Sequence, residues 1–180
     1  MSRSLLLAAT AAAGMTLGAT SAAQANATLT GPGGQFSVGI GPNGELYDNN
    51  SGVGFLRQAD GYDPLRPGTP RDSWGISANG AGAHADYMFM IFGSGITSTT
   101  VTNAVVNPSL ATVTSNVLGG TLGVVQNFSF AATNILKIQT TVTNTSGIAQ
   151  SVLFQRNVDW DVTPTMFNEN TFAGPIAGKV

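Results

Sequence analysis

Residues Ile135–Asn144 read ILKIQTTVTN, and apolar and polar side chains alternate cleanly along this stretch. One parity is mainly apolar, whereas the other carries Lys137, Gln139 and Thr141. A period of two is typical of a β-strand that buries one face. The turn residues 144–147 follow, and a second alternating stretch occupies 149–158. Together these segments predict a pair of antiparallel strands.

Similar stretches recur towards the N-terminus, with turn signals every 10–15 residues or so, as in all-β domains. They occupy residues 28–40, 53–56, 73–77, 87–92, 96–106, 111–118 and 122–131. The segment 73–77 is expected to bury Trp74, and 79–83 is expected to form a flexible turn. No helical periodicity with caps follows the N-terminal segment. We therefore predict an all-β fold, an antiparallel long-stranded β-sandwich.

The N-terminal segment 1–27 has the features of a signal peptide. Arg3 supplies a positive charge, an apolar run covers 5–17, and Ala25 and Ala27 are small residues at the −3 and −1 positions. A membrane-spanning helix needs about 20 strongly apolar residues, and this run is shorter. We expect cleavage before Thr28, in preference to cleavage after Ala23, and no membrane span in the mature chain. Residues 28–180 then form one β-sandwich domain.

The end of the chain, residues 173–180, shows no cap and no closing strand with an obvious partner. Two interpretations stay open. The first, which we favour, is that the domain is incomplete at its C-terminus and its parent continues past Val180. The second is a short frayed terminus.

Composition excludes several kinds of partner. Charged residues make up 9% of the sequence, with seven Lys or Arg and nine Asp or Glu. No basic stripe is present, which argues against nucleic acid and against anionic membranes. The chain has no cysteine, so a thiolate metal site is excluded and disulfides cannot stabilise the exported domain.

Residues 150–172 concentrate charged and aromatic groups in a chain that is otherwise poor in charge. Arg156 shares its parity with apolar neighbours, so it needs a fixed carboxylate partner, and the nearest in sequence are Asp159, Asp161 and Glu169. One interpretation makes these three carboxylates candidate catalytic groups, with Trp160 and Arg156 binding a sugar. The other makes the segment a salt-bridged strand end with Trp160 in the core. We favour the structural interpretation.

Two further candidates are weaker. Asp60 and Asp63 lie in a proline-rich loop, 57–72, and offer oxygen ligands for Ca²⁺, although their spacing does not match an EF-hand. Pairing between aspartates and arginines across the loop would explain the same residues without a metal, and we expect no other cofactor. His84 is the only histidine, so a His-rich zinc centre is not available. We favour a solvated loop histidine over a catalytic base.

Two motifs carry a resemblance to a known group. The first joins Gly44-Glu45-Leu46-Tyr47-Asp48 to Gly52-Val53-Gly54-Phe55 and to the segment 67–75, PGTPRDSWG. The second is 156–165, RNVDWDVTPT, with Phe167, Asn168 and Glu169. Both resemble uncharacterised bacterial exported proteins, several of which carry a C-terminal PEP-CTERM sorting tail.

The resemblance implies a secreted, extracellular or cell-surface location in a Gram-negative bacterium, and it carries over no known catalytic residues. This sequence contains no Pro-Glu-Pro, so we expect either a tail beyond Val180 or a released protein. The long strands are also similar to sugar-processing supersandwich folds, which keeps a partial supersandwich open. Aldose epimerases of that fold use a histidine and a glutamate, whereas this chain has a single histidine, His84.

These observations favour a non-catalytic exported protein of the bacterial surface or matrix, with a polysaccharide or another surface component as partner. The alternative is a carbohydrate-binding or carbohydrate-active domain that uses the Asp159/Trp160/Asp161 cluster.

Overall fold

The computed structural model describes residues 26–67, 72–86, 94–103, 109–162 and 171–179. The described strands are β1 (Ala27–Thr30), β2 (Phe36–Ile40), β3 (Phe55–Arg57), β4 (Asp72–Ala78), β5 (Ala81–Asp86), β6 (Ile96–Asn103), β7 (Leu110–Val117), β8 (Leu122–Ala132), β9 (Ile135–Asn144), β10 (Ser151–Val158) and β11 (Thr171–Lys179). The only helical segments among these residues are the short 3₁₀ turns Pro32–Gly34 and Leu118–Gly120. The predicted all-β class is therefore confirmed.

The strands form three sheets in which every recorded pairing is antiparallel. Sheet I has the order β1-β2-β3, sheet II the order β11-β10-β4-β5, and sheet III the order β6-β7-β8-β9. Sheet III is a sequential meander, and the stretch Ile135–Asn144 forms its edge strand β9 with the predicted bounds. Sheet II instead brings β10 beside β4, which is distant in sequence.

The core consists of two clusters, and sheet III contributes to both. In the first cluster, residues of sheet I such as Leu29 pack with residues of sheet III such as Phe128. In the second, Trp74 of sheet II packs with Val124 of sheet III. Trp74 is 1% exposed, so its predicted burial is confirmed. Sheet III therefore uses one face to pack against both other sheets.

Residues 79–83 do not form the predicted flexible turn. Asn79 and Gly80 have φ values of 48° and 86° and make a tight two-residue turn between β4 and β5. Two positive φ values match the right-handed twist of the flanking strands, which explains the Asn-Gly pair at this position. The remaining residues, Ala81 to Ala83, already belong to β5.

Residues 171–179 form a strand, although the sequence at 173–180 showed no closing strand with an obvious partner. β11 pairs antiparallel with β10, from Val158↔Thr171 to Ser151↔Lys179. The pair Gly174-Pro175 argues against a strand in the sequence, because proline has no backbone N–H to donate to the hydrogen bonds of a sheet. The register shifts between Phe154 and Arg156, and β11 lies at the edge of sheet II, where proline is tolerated.

The first described residues already belong to the fold. β1 begins at Ala27, which is 3% exposed and pairs with Ile40. Most of the predicted signal peptide, and the strand predicted at 87–92, lie outside the described residues. None of the helices within the described ranges is long and apolar enough to cross a membrane.

Candidate functional site

Arg156 lies where the three sheets meet, and its partner is Asp72 of β4. The Arg156 side chain is 10% exposed and that of Asp72 is 0% exposed. The guanidinium Nε donates to Asp72 Oδ1 at 3.1 Å, and Nη2 donates to Asp72 Oδ2. This bidentate pair supplies the carboxylate that a cation in an apolar row requires. It comes from none of the acidic residues nearest in sequence.

The other guanidinium donors reach the remaining sheets. Nη1 of Arg156 donates to Gln126 Oε1 on β8 at 2.9 Å, and Nη2 also donates to the carbonyl oxygen of Gly44 at 3.0 Å. The backbone N–H of Leu46 donates to Asp72 Oδ2 at 2.5 Å. We call these five residues the junction network. It ties sheet II to sheet III and to the loop between β2 and β3 of sheet I.

Glu45 lies in the same loop and is almost fully buried, with 1% exposure. Its Oε2 accepts a hydrogen bond from the Asn43 N–H at 2.9 Å, whereas Oε1 has no partner among the described residues. Burial raises the pKa of Glu45 to about 7, although backbone N–H groups and Arg156 oppose the rise. The sequence did not indicate this burial, because a single glutamate directly after the Asn43-Gly44 turn is usually exposed.

The Asp159/Trp160/Asp161 cluster anchors the end of β10. Trp160 packs on the first core cluster, with its ring edge-on to Phe55 at a centroid distance of 5.7 Å. Asp161 is 6% exposed, its N–H donates to the Pro64 carbonyl at 2.8 Å, and its own carbonyl accepts the Tyr62 hydroxyl.

These contacts favour the structural interpretation of the cluster. Trp160 is half-buried and packs edge-on against Phe55, so part of its ring is already used within the protein. Arg156 bonds to Asp72 and not to Asp159 or Asp161. The third candidate carboxylate, Glu169, lies outside the described residues.

The two aspartates proposed for Ca²⁺ have other partners. Asp60 pairs with Arg57, whose Nε donates at 2.9 Å, and this hydrogen bond lowers the pKa of Asp60 to about 2. Asp63 is 5% exposed and accepts hydrogen bonds from three backbone N–H groups. Its oxygens therefore hold the loop together. Among the described residues, no three or more His, Asp or Glu side chains gather as a metal site would need.

His84 lies on strand β5 and not on the predicted loop. Its backbone N–H donates to the carbonyl oxygen of Ser94 at 2.9 Å, and it pairs with Gly75 of the neighbouring strand β4. The side chain is exposed and borders a groove of about 470 Å³ on the outer face of sheet II. The sequence did not indicate this groove, because its lining residues come from three strands.

No protein-family profile, curated protein or solved structure matches the chain.

Proposed function

We propose that this protein is an exported, non-catalytic β-sandwich that acts at the bacterial surface or in the extracellular matrix. The features of segment 1–27 support export. The two core clusters support a sandwich, in which sheet III forms one layer and sheets I and II form the other.

The observation that carries the non-catalytic role is the use of buried charge in the described structure. Asp72 neutralises Arg156, and Asp63 accepts hydrogen bonds from the backbone N–H groups of Gly54 and Phe55. A catalytic acid or base must instead reach a substrate proton within hydrogen-bond distance. Groups that are engaged in this way stabilise the fold.

Cell fractionation of a Gram-negative host that expresses the full chain tests the location. We expect the protein in the medium or on the cell surface, where added protease degrades it in intact cells. An Arg3→Glu variant with a disrupted positive segment should stay inside the cell. Retention of the unaltered protein in the cytoplasm would refute export.

Carbohydrate binding is the second candidate function, and the groove on sheet II favours it. The groove offers hydroxyl, amide and imidazole groups beside the exposed Leu153. Sugars need neutral hydrogen-bonding partners of this kind together with some apolar surface. The groove is separate from the Asp159/Trp160/Asp161 cluster, whose tryptophan packs on the core.

A further inference from the structure

The groove on sheet II, which we call the trough, has a floor of small residues between two rows of larger side chains. Strand β4 lies between β10 and β5, and its outward positions are Ser73, Gly75 and Ser77. Strand spacing makes the trough about 10 Å wide, and five residues of β4 make it about 13 Å long. The walls are formed by His84 on one side and by Leu153, Gln155 and Asn157 on the other.

The fold does not require glycine at two positions of this trough, Gly75 and Gly82. A Cβ on Gly75 would come no closer than 3.7 Å to Ala83, and one on Gly82 would meet only the Ile76 carbonyl at 4.0 Å. Neither has a positive φ, and the β4–β5 register runs without a bulge.

Gly39, by contrast, is required by the fold, because a Cβ there would lie 2.0 Å from the backbone oxygen of Val53. Glycine weakens a strand interior by roughly 0.5–1 kcal/mol relative to alanine. Where the fold does not require it, glycine often marks a place where a ligand approaches the backbone closely.

The polar side chains of the trough are available for such a ligand. Within the described structure, none of the five forms a hydrogen bond to the protein. They are Ser73, Ser77, His84, Gln155 and Asn157. The described lining contains no carboxylate, ammonium or guanidinium group, so a charged ligand would find no counter-charge. Leu153, 42% exposed, adds an apolar contact at one wall.

We propose that this trough binds one uncharged polysaccharide chain along β4, with Gly75 and Gly82 allowing the sugar rings to approach the sheet. Side-chain amides and hydroxyls donate to and accept from sugar hydroxyls, and their neutrality matches a neutral glycan. An extended peptide fits less well, because its backbone groups pair with a strand edge and not with a sheet face. The proposal rests on the second candidate function above and does not depend on export.

Filling the trough tests the proposal without disturbing the core. Gly75→Val places a branched side chain on the floor, and Gly82→Val places one on the β5 side of the trough, where the fold leaves room. Gly123→Val is the matched control. Gly123 lies in β8 of sheet III, away from the trough, and a Cβ there would meet only Thr143 at 3.9 Å. The purified full chain and each variant are applied to immobilised neutral glucans, xylan, mannan and chitin. Alginate and a neutral unstructured peptide serve as the charged and peptide probes.

We expect retention on at least one neutral glycan, with a Kd at least tenfold weaker in both trough variants and unchanged in Gly123→Val. Gln155→Ala with Asn157→Ala should weaken binding about tenfold through lost hydrogen bonds. Melting temperatures of the glycine variants should be equal to or above that of the unaltered chain.

Three outcomes would overturn the proposal. They are no retention on any neutral glycan, equal binding by the trough variants, or preferential binding of alginate or the peptide. The purified chain reports binding wherever the cell places it, so these outcomes leave the proposed location standing.

Discussion

Arg156 illustrates how a single residue can look functional and yet stabilise the fold. A cation among apolar side chains is costly unless a bidentate carboxylate and further acceptors surround it. Asp72 provides the first, and Gln126 with the Gly44 carbonyl provide the second. The guanidinium also lies over the Phe128 ring, 5.6 Å from its centroid. Four of the five N–H donors of the guanidinium are therefore directed at the protein itself.

Removing Arg156 should be strongly destabilising. Arg156→Met leaves the fully buried Asp72 without its cation, and we expect a loss of about 3–5 kcal/mol in the free energy of unfolding. Urea denaturation followed by tryptophan fluorescence measures it. Arg57→Met breaks the exposed pair with Asp60 and is the matched control, for which we expect no measurable change. Equal effects of the two substitutions would contradict the assigned role.

Glu45 should make the stability of the protein depend on pH in an unusual direction. Its pKa in the folded state is about 7, above its ordinary value of 4.5. Below pH 4.5 the carboxyl is protonated in both states, and the full stability is present. Between pH 4.5 and 7 the unfolded chain loses the proton first, so stability falls by on the order of 3 kcal/mol and then levels off.

Glu45→Gln separates this effect from other titrations. The amide keeps an acceptor for the Asn43 N–H and cannot ionise. We expect the variant to match the unaltered chain near pH 4 and to be more stable at pH 8, with urea midpoints recorded across the range. A difference that does not change with pH would rule out ionisation of Glu45 as the cause.

The sequence could predict that Arg156 needs a partner but not which residue it is. Strand parity placed the cation in an apolar row, and this is local information. Asp72 is 84 positions away, and only the pairing of β10 with β4 brings it close. Glu45 was missed for a related reason, because its burial depends on sheets II and III covering its loop.

At the scale of elements, local pattern succeeded where one face is buried and the turns are regular. β9 was predicted with its observed bounds, because ILKIQTTVTN alternates throughout. β11 was missed, because its Gly174-Pro175 pair lacks strand propensity and its pairing with β10 is not local. The trough on sheet II is also invisible in sequence, since glycine in a strand is informative only once its neighbours are known.

The Asn79-Gly80 turn should contribute measurably to sheet II. Asn79 Nδ2 donates to Gln150 Oε1 at 2.7 Å, and Asn79 Oδ1 accepts from the Ser151 N–H at 3.2 Å, so the turn also holds the start of β10. Asn79→Ala loses these bonds and tolerates the φ of 48° poorly, and we expect a loss of about 2 kcal/mol. Asn79→Gly loses only the bonds and should cost about half as much, as urea denaturation would show. Equal losses would mean that backbone strain does not matter here.

At the scale of the whole molecule, buried polar contacts stabilise this fold, whereas disulfides stabilise many small secreted domains. The chain has no cysteine, and the junction network connects sheet II with sheet III and with the loop between β2 and β3. A second set of contacts joins the start of β1 to Asp48 in the loop between β2 and β3. Burial alone would raise the pKa of Asp48, but hydrogen bonds from Ser51, Asn26 and other neighbours outweigh it and lower the pKa.

The last prediction concerns the cleavage site of the proposed signal peptide. Cleavage before Thr28 would remove Asn26, whose Nδ2 donates to Asp48 Oδ1 at 2.7 Å, and the buried Ala27 of β1. Cleavage after Ala25 keeps both and also places small residues, Ala23 and Ala25, at the −3 and −1 positions. If the chain is exported as proposed, we therefore expect mass spectrometry of the secreted form to identify Asn26 as its first residue.

Two purified chains that begin at Asn26 and at Thr28 show whether this difference matters for folding. The shorter chain loses a hydrogen bond to a carboxylate and one buried methyl group, so we expect it to be less stable by about 2–3 kcal/mol. Urea denaturation at pH 7 measures the difference. A mature N-terminus at Thr28 together with equal stability of the two chains would show that β1 contributes nothing before Thr28. The fold would then begin where the sequence alone placed it.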